Sequence, residues 1–217
     1  MSDDPTEVAI ACQGGGSHTA FTAGVLQELL RGWDDGQELV EISGTLCGAV
    51  TALTTWYGLV TADAERSIEL LDASRDDLSA SDLPDQFMNE FVVGLSRLTN
   101  AGIPVFKLSP CDVPGAEVGK TAIRETLKRH IDFAEVSVLC RRDVPELVVG
   151  TVNVNAGTFE TLPNGDVTPE AVLASAAVPT PFNAVEINGH YHWDGLFSQN
   201  PPLDDLMTVE LSRKRCG

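Results

Sequence analysis

Apolar and polar positions switch between two periods along this chain, and the switches lay out its elements. Glu7-Val8-Ala9-Ile10-Ala11-Cys12 is an apolar run of strand length that stops at Gln13-Gly14-Gly15-Gly16. Beyond the glycines, Phe21, Val25, Leu29 and Leu30 recur at helical spacing, which predicts a helix. Gly32 and Asp34-Asp35-Gly36 end it, and Leu39-Val40-Glu41-Ile42-Ser43 reads as a second strand. Gly44-Thr45-Leu46-Cys47-Gly48 turns that strand sharply into another helix, Ala49 to Gly58.

Helical spacing returns over 63–73, over 85–98 through Phe87, Phe91, Leu95 and Leu98, and over about 118–130. Gly102, Pro104, Pro110 and Pro114 break the chain between the last two. Leu147 to Val154 is the strongest strand signal. Thr158 to Leu162 is a further strand, closed by the Pro163-Asn164-Gly165-Asp166 turn. Thr168-Pro169-Glu170 opens a helix over 171–177, with a hydroxyl cap and proline at the first position. Val185-Glu186-Ile187 and His190 to Trp193 flank Asn188-Gly189, a hairpin signal that delivers the chain to Asp194-Gly195. Strand, glycine loop, helix, strand, elbow, helix is the rhythm of an α/β sheet with parallel neighbours. One domain over 1–217 is expected, with 204–217 an atypical tail. The basic Ser212-Arg213-Lys214-Arg215 either caps a helix terminus or marks a chain cut short or shifted in frame, and the second is preferred.

Charge narrows the function classes. The chain carries 32 Asp and Glu against 14 Lys and Arg, a formal net charge of -18. Nucleic-acid phosphates and anionic bilayers would be repelled, whereas neutral or apolar esters remain open. Such an acidic surface suits a salt-adapted cytosol, where ions screen self-repulsion. The five cysteines (Cys12, Cys47, Cys111, Cys140, Cys216) include no C-x-x-C pair, so reduced, mostly buried thiols are expected. Met1-Ser2-Asp3-Asp4 is no secretory leader, and no apolar run reaches membrane-spanning length. A cytoplasmic protein follows as the expectation. His190 and His192 lack a third ligand nearby, so a surface hairpin is expected and no metal or cofactor.

Three segments together resemble the patatin-like phospholipases, over about residues 7–203. They are the Gly14-Gly15-Gly16 loop with its helix, the Gly44 to Ala49 elbow, and Ala174-Ser175-Ala176-Ala177-Val178-Pro179 followed by Asp194-Gly195 and Asn200-Pro201-Pro202. The resemblance implies a three-layer α/β fold with a mainly parallel sheet flanked by helices. It implies lipid or other carboxylic esters as substrates, cut by an elbow serine with an aspartate base and no cofactor. On this pattern Gly14, Gly15 and Gly16 would supply the oxyanion hole, Gly44 and Gly48 the elbow, and Asp194 the base.

The chain departs from the pattern where it matters most. The nucleophile position is Leu46, whose hydrocarbon cannot attack a carbonyl. Thr19 stands where the loop wants a last glycine, and Leu196 follows Asp194-Gly195. Cys47, Ser43 and Thr45 lie one or more residues off the apex and would aim elsewhere; Cys47 is expected as a packing residue. Three outcomes stay open: a hydrolase of severely impaired activity, a non-catalytic lipid- or partner-binding pseudoenzyme, and a decayed copy. A nucleotide site on the glycine loop ranks last, because the second strand ends without an acidic residue to hold a ribose.

Overall fold

The computed structural model describes residues 5–15, 19–34, 36–78, 116–139, 144–178, 182–199 and 201–202. The helix expected over 85–98, Gly16, His18, Asn200, the cysteines at 111, 140 and 216 and the basic tail lie outside these residues. Among the described residues, six strands form one mixed sheet: β1 (Thr6–Cys12), β2 (Gln37–Gly44), β3 (Glu146–Asn153), β4 (Thr158–Pro163), β5 (Val185–Ile187) and β6 (His190–Asp194). Helices α1 (Thr19–Arg31), α2 (Cys47–Thr61), α3 (Ala64–Leu78), α4 (Ala116–His130), α5 (Phe133–Leu139) and α6 (Pro169–Ser175) flank it. The α/β class with a parallel sheet core is as the sequence predicts, whereas α5 carries too short a pattern to have been read from it.

β1, β2 and β3 run parallel, and β4, β5 and β6 are added antiparallel. β4 covers one edge of β3 along Val148 to Asn153. The other edge is shared: β2 pairs with Glu146 to Val149, and β6 with Thr151 to Asn153. The C-terminal ends of β2 and β6 therefore converge from opposite directions on Gly150.

α2 is the central helix. Every residue from Gly48 to Gly58 is buried, as expected of a helix that is apolar all round. It packs on β2, β3, α1 and α3. Two of its buried polar groups find carbonyls: Thr54 Oγ1 donates to Val50 at 2.7 Å, and Trp56 Nε1 to Pro145 at 2.7 Å, whereas Thr55 Oγ1 has no partner among the described residues. Tyr57 Oη donates to Glu135 of α5 at 2.5 Å, and burial together with that carboxylate pushes the phenol up to about 12.

Local signals hold where expected. Thr168 Oγ1 accepts from Ala171 N–H at the start of α6. Asn188 and Gly189 take φ of 51° and 83°, the left-handed pair of a tight hairpin. α1 differs in its facing. Ala23, Leu26, Gln27 and Leu30 are its buried residues, whereas Phe21, Val25 and Leu29 of the expected apolar face point outward.

Candidate functional site

Leu46 stands at the apex of the elbow. Its φ of 59° and ψ of −134° lie in a region that side-chain-bearing residues rarely adopt, at the residue just before α2. Holding a non-glycine residue there costs about 1–3 kcal/mol, which the surrounding contacts must offset. Gly48 N–H donates to the Thr45 carbonyl at 2.9 Å and Ala49 N–H to the Leu46 carbonyl at 3.0 Å, closing the turn into the helix.

The bend is tight enough to exclude side chains from its arms. A Cβ on Gly44 would lie 2.3 Å from the Gly48 carbonyl oxygen, and one on Gly48 the same distance from that of Cys12. The glycine loop lies directly on the apex: a Cβ on Gly14 would sit 2.4 Å from the Thr45 carbonyl oxygen and 2.5 Å from Leu46 Cβ. Gly14 is buried and Gly15 half-buried. Thus β1 delivers the loop, and β2 beside it delivers the elbow, to the same end of the sheet.

Leu46 itself is buried. Its N–H donates to Ser175 Oγ at 3.0 Å, and that hydroxyl donates to the Gly150 carbonyl at 2.7 Å. Ser175 is fully buried with its proton committed, so it serves as a strut between α6, β3 and the elbow. The motif containing Ser175 is visible in the sequence, but nothing there shows what its hydroxyl holds.

Asp194 arrives at the end of β6, opposite Thr151. A Cβ on the following Gly195 would lie 2.8 Å from the Gly150 carbonyl oxygen and 2.9 Å from Thr45 Cγ2, which places the Asp-Gly step against the elbow. One carboxylate oxygen, Oδ1, accepts from Leu196 N–H at 2.9 Å. The other, Oδ2, is buried with no hydrogen-bond partner among the described residues. Burial raises the Asp194 carboxyl to about 6, opposed by the Leu196 hydrogen bond.

The remaining sequence candidates separate from the apex. Ser43 is buried in β2, paired with Ala11 and Val148. Thr45 Oγ1 donates to the Gln199 carbonyl at 3.4 Å. Cys47 opens α2 and is half-buried, more open than a packing thiol, and neither it nor Cys12 forms a disulfide. Burial pushes the Cys12 thiol up to about 12, which leaves it unreactive.

His192 departs from its expectation. It is buried, not on a surface hairpin, because β6 turns His192 and Asp194 to the same inner face. Its Nδ1 lies 3.0 Å from Thr151 Oγ1, and its Nε2 lies 4.0 Å from Glu160. Burial holds the imidazole below its usual range, against the pull of Glu160. Among the described residues no cluster of His, Cys, Asp and Glu is arranged to hold a metal ion. A shallow cleft of about 560 Å³ lies among Tyr57, Lys128, Arg129, His130 and Asp132, at the far end of α2 from the elbow. Two of its side chains hold Asp77: Arg129 Nη1 and His130 Nε2 lie 2.6 and 2.8 Å from Asp77 Oδ2. No described helix is long and apolar enough to cross a membrane.

The family model described as "Patatin-like phospholipase" matches residues 10–207. Among solved structures, VipD from Legionella pneumophila is similar at 16% identity and a TM-score of 0.48, over 93% of this chain and 47% of that one. The chain thus spans about half the length of VipD. No curated protein matches it.

Proposed function

The chain belongs to the patatin-like phospholipase family, and from that premise we propose that it is a lipid- or ester-binding member whose hydrolysis is severely impaired. The observation that carries the proposal is Leu46 at the positive-φ apex, with the Asp194-Gly195 step packed against the elbow and one buried Asp194 oxygen without a partner among the described residues. A hydroxyl at the apex would attack the ester carbonyl and pass its proton to Asp194. The N–H groups of the Gly14, Gly15 and Gly16 loop would stabilise the oxyanion, because glycine lets the backbone approach the reacting oxygen. Asp194, at about 6, would be ionised and able to accept a proton at neutral pH.

Leu46 supplies no electron pair for this step. Loss of a serine nucleophile costs on the order of 10⁶ in turnover in a serine protease, leaving only the help of the oxyanion hole and binding. Cys47 is the nearest thiol, but it is the first residue of α2 and not the apex. Release of nitrophenol from a short-chain ester tests the proposal. The unaltered chain should match Asp194→Asn at background; Asp194-dependent turnover well above background would overturn impairment.

A binding role without chemistry draws support from the seating of Leu46. Its side chain is buried against the glycine loop, so the apex carries hydrocarbon and no reactive group. Saturable fatty acid or phospholipid binding without turnover is then expected. A decayed copy would instead give an aggregating product with no such binding.

A further inference from the structure

We propose that the outer face of α1 is a docking surface for an uncharged lipid–water interface. This deepens the lipid reading above and rests on it, although the face and the elbow are separate parts of the molecule. Phe21, Val25 and Leu29 follow one another at four-residue steps and are 77%, 50% and 39% exposed. That spacing sets them in one stripe along the helix. The inward face is already filled by Ala23, Leu26 and Leu30, so the stripe adds nothing to the core described here. A phenylalanine three-quarters exposed at the head of such a stripe marks a contact surface.

Charge identifies the occupant. Residues 8–27 contain no Asp, Glu, Lys or Arg, in a chain with 21% charged residues and a net charge of -18. The first charged side chain of α1 is Glu28, paired with Arg31 at 2.9 Å, and this pair closes the end of the stripe. Ala20, Thr22 and Gly24, around Phe21, are small and uncharged. A protein partner would be expected to meet a polar rim with charged and hydrogen-bonding groups around an apolar centre. A zwitterionic lipid surface asks only for apolar side chains to sink below the headgroups, with no basic residues, and that is what this face offers. An anionic surface would repel the chain as a whole. α1 also begins four residues after Gly15. Docking by this stripe would therefore hold the loop and the elbow close to the lipid.

Flotation of the 217-residue chain with phosphatidylcholine vesicles tests the proposal, and requires no turnover. The unaltered chain should float with these vesicles in both low and high salt, and less with phosphatidylglycerol vesicles at low salt. Phe21→Ser combined with Val25→Ser should weaken flotation by about tenfold or more, with the circular dichroism spectrum and binding of a monomeric short-chain fatty acid unchanged. Absence of flotation by a folded, unaltered chain would overturn the proposal. So would equal flotation of the double variant, or a concentration-dependent dimer that the variant dissolves while vesicles bind neither form. Failure of fatty acid binding with flotation intact would instead count against the binding role proposed for the elbow alone.

Discussion

The N–H of Leu46 donates to the hydroxyl of Ser175, which in turn donates to the carbonyl of Gly150, so one buried oxygen ties the strained apex to the central strand. The relation explains how a leucine can occupy a backbone conformation better suited to glycine. Strain at one residue persists only where neighbours over-determine its position.

Ser175→Ala should therefore be costly. It leaves two buried backbone groups, the Leu46 N–H and the Gly150 carbonyl, without this partner, at roughly 1–3 kcal/mol each. Urea unfolding should show a loss of about 2–5 kcal/mol. A loss below about 1 kcal/mol would mean that the strut carries little of the elbow.

Strain at residue 46 predicts an inversion of the usual residue ranking. Within a helix, as at Leu53 of α2, alanine is better than glycine by about 1 kcal/mol. At residue 46, glycine relieves the positive φ and alanine does not. Leu46→Gly should be more stable than Leu46→Ala by about 1 kcal/mol, while the Leu53 pair keeps the ordinary order. Thermal denaturation of the four variants decides it.

Leu46→Ser is the direct test of the remaining frame. Ester turnover should appear, on the order of 10³-fold above the unaltered chain, and vanish again in Leu46→Ser with Asp194→Asn. Its kcat/KM should rise with pH as Asp194 ionises, half-maximal near about 6. Activity that survives Asp194→Asn would remove this aspartate from the mechanism.

Asp194 also sets an unusual pH dependence of stability. Its carboxyl sits at about 6 when folded and at 3.8 as an unperturbed group. The folded chain therefore holds a proton in that window which the unfolded chain releases. Stability contributed by this group is full below 3.8 and is lost as pH rises to about 6, by about 3 kcal/mol in all. His192 acts oppositely, because its lowered value removes stability as pH falls through the usual histidine range. Comparing the unaltered chain with Asp194→Asn at each pH cancels the histidine, and the difference should shrink below pH 4.

The glycines divide by what surrounds them. Gly24 in α1 has open space where a Cβ would go, so Gly24→Ala should stabilise by about 0.5–1 kcal/mol. Gly44 meets the Gly48 carbonyl oxygen at 2.3 Å, so Gly44→Ala should cost at least about 2 kcal/mol. Equal effects at the two positions would deny the elbow its tightness.

Much of this arrangement is already present in the order of residues. Periodicity places β1, α1, β2 and α2; Thr168-Pro169 opens α6; Asn188-Gly189 turns the hairpin. These are short-range matters, decided by side-chain spacing, capping and permitted φ, and so they are legible locally. The glycine loop, the elbow and the Asp-Gly step are likewise visible as motifs, along with the leucine at the apex. Tertiary structure alone decided how they meet. β2 and β6 share one edge of β3 and converge on Gly150, which sets the Asp-Gly step against the elbow from 148 residues away in sequence. It also decided facing: His192 turned inward with Asp194, Phe21 turned outward, and the Ser175 hydroxyl was spent as a strut. A helix with apolar residues on both faces carries no local sign of which face the core will fill, because that depends on the elements it packs against.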